Sequence, residues 1–154
     1  MFDPAPSANF GDDESFQNLI ESLQKSSESD ENQLARRKVL VVDDQRLIAD
    51  TIVEFLEDAG FQAIPAYDGW SALEIAATLQ PDFLLCDVLM PRMNGVQLAI
   101  AAQRKHPATK ILLFSGQAGI SDILLDGQRQ GFEFELIPKP IHPLKLIERL
   151  KVQQ

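Results

Sequence analysis

The chain has 154 residues, 45% of them apolar, a formal net charge of −9 and a single cysteine, Cys86. That length suits one ordinary domain with a real hydrophobic core, the lone cysteine excludes an internal disulfide, and no Cys/His cluster has zinc spacing. The acidic balance argues against nucleic-acid binding, which works by neutralising phosphates, and no apolar run approaches the ~18 residues needed to cross a bilayer.

Residues 1–35 hold eight acidic groups and one lysine, whereas residues 36–154 hold fifteen acids and thirteen bases. The first part therefore reads as an acidic arm before a nearly balanced domain. "MFDPAPSANFGDDE" and "KSSESDENQ" are polar and rich in Ser, Pro, Gly and acids, the composition of disordered chain. Between them Phe16, Leu19, Ile20 and Leu23 fall on one helical stripe, which predicts an amphipathic helix near 14–25. The acidic start lacks the basic and apolar pattern of a signal peptide, so a cytoplasmic protein is expected.

From Arg36 onward the pattern alternates. "VLVV" is a β-branched strand run ending on Asp43 and Asp44. "QRLIADTIVEFLEDAG" then places Leu47, Ile48, Ile52, Phe55, Leu56 and Ala59 at helical spacing and stops at Gly60. "FQAIPA" is a short strand, and "YDGWSALEIAATLQ" a helix capped by Asp68 or Ser71, with Trp70 partly buried. "PDFLLCDV" is a strand, and "NGVQLAIAAQRKH" a helix ending before Pro107. "ATKILLFSG" is a strand, and "ISDILLDGQRQG" a helix closed by Gly131. "FEFELIPK" is a strand, and "IHPLKLIERLKVQ" a helix with Pro143 in its first turn.

Five β–α pairs result. Strand runs such as "VLVV" and "KILLF" are apolar throughout, the mark of parallel strands covered by helices on both faces. Such sheets bind ligands beyond the carboxyl ends of their strands. Pro138 cannot donate a ladder bond, so the fifth strand is placed at an edge.

The strand ends carry chemistry. They bring Asp43 and Asp44, then Asp87, then Ser115 and Gly116, then Lys139 to one rim. Two unit charges ~4 Å apart repel by about 4 kcal/mol at an effective dielectric of 20, so three carboxylates need a retained proton or a cation. Oxygen ligands without His or Cys select a magnesium-like ion. Lys139 adds a compact cation suited to a phosphate oxygen, and Ser115 a hydroxyl. Together they fit phosphoryl transfer to a carboxylate, with Asp87 as nucleophile. Cys86 reads as a small core residue, and His106 and His142 as structural or exposed.

"VLVVDD", "DFLLCDVLMPRMNG", "LLFSG" and "PKP", in this order, resemble the receiver domain of bacterial two-component response regulators, over roughly residues 38–152. The resemblance implies a flavodoxin-like (βα)5 fold, doubly wound, with strand order 2-1-3-4-5. It implies that Asp87 accepts phosphate from a histidine kinase or phosphotransfer protein with Mg²⁺. Asp44 would bind the ion directly, Asp43 mostly through water, and the carbonyl of Leu89 would be a further ligand. Ser115, Lys139 and the amides of Val88 and Gly116 would hold phosphoryl oxygens, and Lys139–Pro140 would be cis. The "MPRMNG" turn would clear space behind the nucleophile.

Two departures stand out. The position three before Lys139, usually aromatic in that family, is Leu136, with Phe134 two residues earlier. Ser115, Phe134 and Leu136 are therefore the candidates for a switch. Leu89 is apolar and Gln117 stands second after Ser115, which suggests a long-lived aspartyl phosphate. The expectation is a stand-alone signalling receiver, not an enzyme, acting on a downstream protein through residues 117–151, with neither nucleic acid nor membrane as partner. A phosphate-independent receiver-like interaction module is the alternative. A phosphohydrolase usually has a second acid where Leu89 stands, and a flavodoxin-like cofactor binder lacks its phosphate loop here.

Overall fold

A computed structural model describes residues 17–22, 37–116 and 120–152. The chain divides into two units, residues 1–33 and 34–154. In the first, residues 17–22 are helical, inside the predicted 14–25 stretch; the rest of that stretch and both disordered readings lie outside the described residues.

In the second unit the order is β1 (Lys38–Val42), α1 (Arg46–Asp58), β2 (Gln62–Ala66), α2 (Gly69–Leu79), β3 (Phe83–Asp87), α3 (Gly95–Lys105), β4 (Lys110–Ser115), α4 (Ser121–Arg129), β5 (Glu135–Pro138) and α5 (Pro143–Val152). The five strands form one parallel sheet in the order β2-β1-β3-β4-β5. β5 lies at an edge, as Pro138 requires, and the opposite edge strand, β2, carries Pro65.

Successive strand side chains point to opposite faces, and both faces are covered. Leu40, Val42, Leu84, Cys86 and Leu113 enter a core with Ala72, Ala76, Leu98 and Ala99, under α2, α3 and α4. Val39, Val41, Leu85, Leu112 and Phe114 enter the other with Ala49, Ile52, Leu56, Leu146 and Leu150, under α1 and α5. A strand buried on both faces has no place for polar alternation, which explains the continuous apolar runs.

Local punctuation matches. Gly60 and Gly131, at φ 99° and 89°, end α1 and α4 in the left-handed region that glycine tolerates. Asn94 and Gln97 form a reciprocal capping box at the start of α3. Asp68 caps α2, accepting from the Ser71 amide and hydroxyl at 2.8 and 2.9 Å. Its carboxyl is held below the usual range, first by the Ser71 amide.

Three expectations need correction. Leu47 and Phe55, counted in the apolar stripe of α1, are exposed, because the stripe is wider than the face that meets the sheet. Trp70 is 63% exposed, since it leads α2 on its solvent side. β5 starts only at Glu135, so Phe134 precedes the strand and does not share its alternation with Leu136.

Candidate functional site

β3 ends on Asp87 and β4 on Ser115, while Asp43 directly follows β1 and Lys139 directly follows β5. Because the strands are parallel, all four ends reach one rim, and there the side chains converge. The ammonium of Lys139 lies 3.2 Å from Oδ1 of Asp87 and 3.3 Å from Oδ2 of Asp43. Asp43, Asp44 and Asp87 each offer a carboxylate oxygen within 4.8 Å of the others.

The three acids are not equivalent. Asp43 is fully buried; its Oδ1 accepts from the Gln45 amide at 2.9 Å. Asp44 is exposed, and Asp87 is partly open to the solvent. Burial raises the pKa of Asp43, against the lowering effects of the Gln45 amide and Lys139. Burial likewise raises that of Asp87, with Lys139 opposing it and Asp43 reinforcing it. For Lys139 burial favours the neutral form, but Asp43 and Asp87 together outweigh it and leave the ammonium more basic than usual.

One ammonium thus faces Asp43 and Asp87, with the Asp44 carboxylate beside them, a site short of positive charge whose metal-ligating atoms are all hard oxygens. That donor set fits Mg²⁺, which takes one or two carboxylates and keeps several waters. The acid cluster can hold a metal ion.

Glycines let the backbone close around the site. A Cβ on Gly116 would come within 2.9 Å of Lys139 Cβ, so the chain after β4 approaches Lys139 only without a side chain. A Cβ on Gly95 would stand 2.2 Å from the Asp87 carbonyl oxygen, and the Gly95 amide donates to Val88 O at 2.8 Å. The "MPRMNG" turn therefore docks the start of α3 onto the end of β3. Arg92 in that turn adopts φ 70°, a left-handed conformation that costs a non-glycine residue energy. Lys139–Pro140 is cis, as expected.

The Val88 amide, expected to face a phosphoryl group, is already engaged. It donates to Phe114 O at 3.0 Å, because the β3–β4 ladder runs one residue past the strand. The next amide, that of Leu89, makes no backbone hydrogen bond among the described residues, and Leu89 lines the site's cavity.

That cavity, about 850 Å³, holds Asp44, Asp87, Ser115, Gly116 and Lys139 at one end. Its other wall is apolar, with Leu47, Ile48 and Phe55 of α1 facing Pro140 and Ile141. Sequence reasoning did not find this groove, since it joins two elements far apart in the chain and has no motif.

The switch candidates separate. Phe134 packs on the core under α4, its ring 6.0 Å from that of Phe132 and nearly parallel to it. Leu136 is 38% exposed. Ser115 lies across the sheet at the rim, its carbonyl accepting from the Lys139 amide at 2.9 Å.

Among the described residues no helix is long and apolar enough to cross a membrane. Residues 39–151 match the model of the response regulator receiver domain. The chain is 32% identical over 116 residues to the regulatory protein VanRc of Enterococcus gallinarum, covering 75% of this chain and 49% of that protein. It is 33% identical over 114 residues to the transcriptional regulatory protein CpxR of Escherichia coli, covering 74% of this chain and 47% of that one. The chain thus spans about half the length of these relatives or slightly less. Among solved structures, the chemotaxis protein CheY4 of Vibrio cholerae superposes with a TM-score of 0.67 at 28% identity, over 75% of this chain and 97% of that one. A receiver domain protein of Methanospirillum hungatei gives 0.68 at 25%, over 76% and 92%. With its fold, its acid-and-lysine rim and these matches in agreement, the chain belongs to the response regulator receiver family, the phosphoacceptor domains of two-component signalling.

Proposed function

We propose that Asp87 is the phosphoacceptor of this receiver and takes its phosphoryl group from a phosphohistidine on a histidine kinase or phosphotransfer protein. The observation that carries this reading is the meeting of Asp87 with Lys139 at 3.2 Å, beside Asp43 and Asp44, at the mouth of an open cavity. An Asp87 carboxylate oxygen attacks phosphorus, the P–N bond to the donor imidazole breaks, and the imidazole leaves with the bonding pair.

Asp44 and Asp87, with the Leu89 carbonyl, would hold Mg²⁺ directly, and Asp43 would hold it through water. When bound, Mg²⁺ supplies the charge that offsets the carboxylates and the incoming phosphoryl oxygens. Lys139 balances a further phosphoryl oxygen, and the Ser115 hydroxyl and the Gly116 amide donate to others. The Leu89 amide takes the part expected of Val88, whose N–H is committed to the sheet.

Phosphorylation draws the Ser115 loop toward Asp87 and shifts α4, with Phe134 taking the role that an aromatic at Leu136 would have. The output is a changed protein-binding surface on the α4–β5–α5 side, read by a downstream protein in the cytoplasm. Neither nucleic acid nor membrane is a direct partner of this domain, and it turns over no external substrate.

The test is incubation with acetyl phosphate and Mg²⁺, followed by intact-mass measurement. The wild-type chain gains one phosphoryl group and Asp87→Asn gains none. Equal labelling of the two proteins would refute the assignment.

A further inference from the structure

α1 begins beside the metal pocket with little support of its own. Its N-cap residue, Gln45, makes no side-chain capping bond, and its first turn has no acidic residue to favour the helix N-terminus. The loop just before it carries Asp43 and Asp44. Asp43 is fixed, because its amide donates to Ala66 O at 3.1 Å and its carboxylate is bound on two sides. Asp44 is exposed, so its place follows from the backbone on either side of it.

The far side of that loop is braced by one ring. Tyr67, the residue after β2, donates its phenol to Asp50 Oδ1 at 2.5 Å. The guanidinium of Arg46 lies over the same ring, 4.2 Å from its centroid. Arg46 and Asp50 are four apart on α1 and so share one face of the helix near its start. The ring also packs against the core that holds Ala49 and Ile52. The bond to Asp50 is the main reason the Tyr67 phenol stays protonated above its ordinary range, with burial and the Asp50 charge adding to it.

Ala66 and Tyr67 therefore hold the acidic loop at both ends. The Ala66 carbonyl holds it at Asp43 and the Tyr67 ring holds it at Arg46, with Asp44 between them. We propose that Tyr67 is a positioning residue for the metal pocket, setting Asp44 through its grip on Arg46 and Asp50. This rests on the Mg²⁺ reading above and adds to it a residue that touches neither metal nor phosphoryl group.

Charge alone predicts the opposite sign for Arg46. Removing a cation near three carboxylates should tighten Mg²⁺ binding, whereas loosening the brace should weaken it. Mg²⁺ affinity of the full chain is measured by titration calorimetry for wild type, Asp44→Asn, Tyr67→Phe, Arg46→Gln and Arg46→Lys, each with a thermal melt. Tyr67→Phe and Arg46→Gln are each expected to weaken Mg²⁺ binding about tenfold without a change in Tm. Arg46→Lys weakens it as well, because an ammonium keeps the charge but not the flat stack.

Unchanged affinity in Tyr67→Phe, or tighter binding in Arg46→Gln, overturns the proposal. If Tyr67→Phe also lowers Tm, Arg46→Lys decides: unchanged Mg²⁺ affinity there overturns it. A wild-type chain that binds no Mg²⁺, or an Asp44→Asn variant that binds it equally well, overturns the metal reading and this proposal together. Binding that Asp44→Asn abolishes and Tyr67→Phe leaves intact overturns this proposal alone.

Discussion

Lys139 places its ammonium 3.2 Å from a carboxylate oxygen of Asp87, each partner only partly exposed. The two residues come from the ends of different strands, and the parallel sheet alone brings them together. The pairing separates metal binding from phosphorylation. In Lys139→Gln the site loses its resident cation, so Mg²⁺ binding tightens. The phosphoryl group loses a charge partner, so labelling by acetyl phosphate slows by about 10²-fold or more. Calorimetry and intact mass on one preparation check both signs.

Burial makes Asp43 and Asp87 reluctant to ionise. For acids whose folded pKa lies above the unfolded value, the stabilising contribution is present at low pH and is lost as pH rises through the folded pKa. Without Mg²⁺, Asp87→Asn should therefore stabilise the domain by roughly 1–2 kcal/mol at neutral pH. The gain should vanish when the solution is acid enough to protonate the wild-type carboxyl in both states. Urea unfolding at neutral and acid pH measures this. A gain of equal size at both would show that the charge of Asp87 is not its source.

The two glycines Gly95 and Gly131 separate close packing from backbone strain. A methyl on Gly95 would meet the Asp87 carbonyl at 2.2 Å, and that backbone cannot yield. Gly95→Ala should cost about 1–3 kcal/mol and also weaken Mg²⁺ binding, because it displaces the end of β3. Gly131 has φ 89° and open space, with nothing within 4 Å of where a Cβ would stand. Gly131→Ala should therefore cost about 1 kcal/mol and leave Mg²⁺ binding alone. Denaturation midpoints paired with calorimetry distinguish the two.

Leu89 lines the mouth of the cavity beside Asp87 with an aliphatic side chain, 39% exposed. It has no group to orient a water toward phosphorus. The aspartyl phosphate should persist for minutes or longer at neutral pH with Mg²⁺, and Leu89→Glu should shorten its half-life several-fold. Loss of the phosphoryl mass over time measures both. A wild-type half-life of seconds would contradict the role given to Leu89.

Much of this was legible in the sequence. Strands such as "VLVV" announce burial on both faces, and Pro138 announces an edge; the sheet has both features. Asp43, Asp44, Asp87 and Lys139 were found because a parallel sheet sends strand ends to one rim. What was not legible depends on partners distant in sequence or on side-chain direction. The Val88 amide is taken up by Phe114 because the ladder overruns the strand, which no residue type signals. Leu47 and Phe55 carry apolar side chains at helical spacing, and periodicity counts them without telling which edge of the stripe meets solvent. The grip of Tyr67 on Arg46 and Asp50 joins a strand end to a helix start through a ring face, and leaves no spacing to read.

The solvent-facing indole of Trp70 adjoins Gly69, where a Cβ would stand 2.4 Å from the sulfur of Met93. The chain has no second tryptophan. Emission excited at the red edge of the absorption band therefore arises from this one point, where α2 abuts the loop following Asp87. A displacement of that loop on phosphorylation would register as a spectral change in the unlabelled protein, in real time.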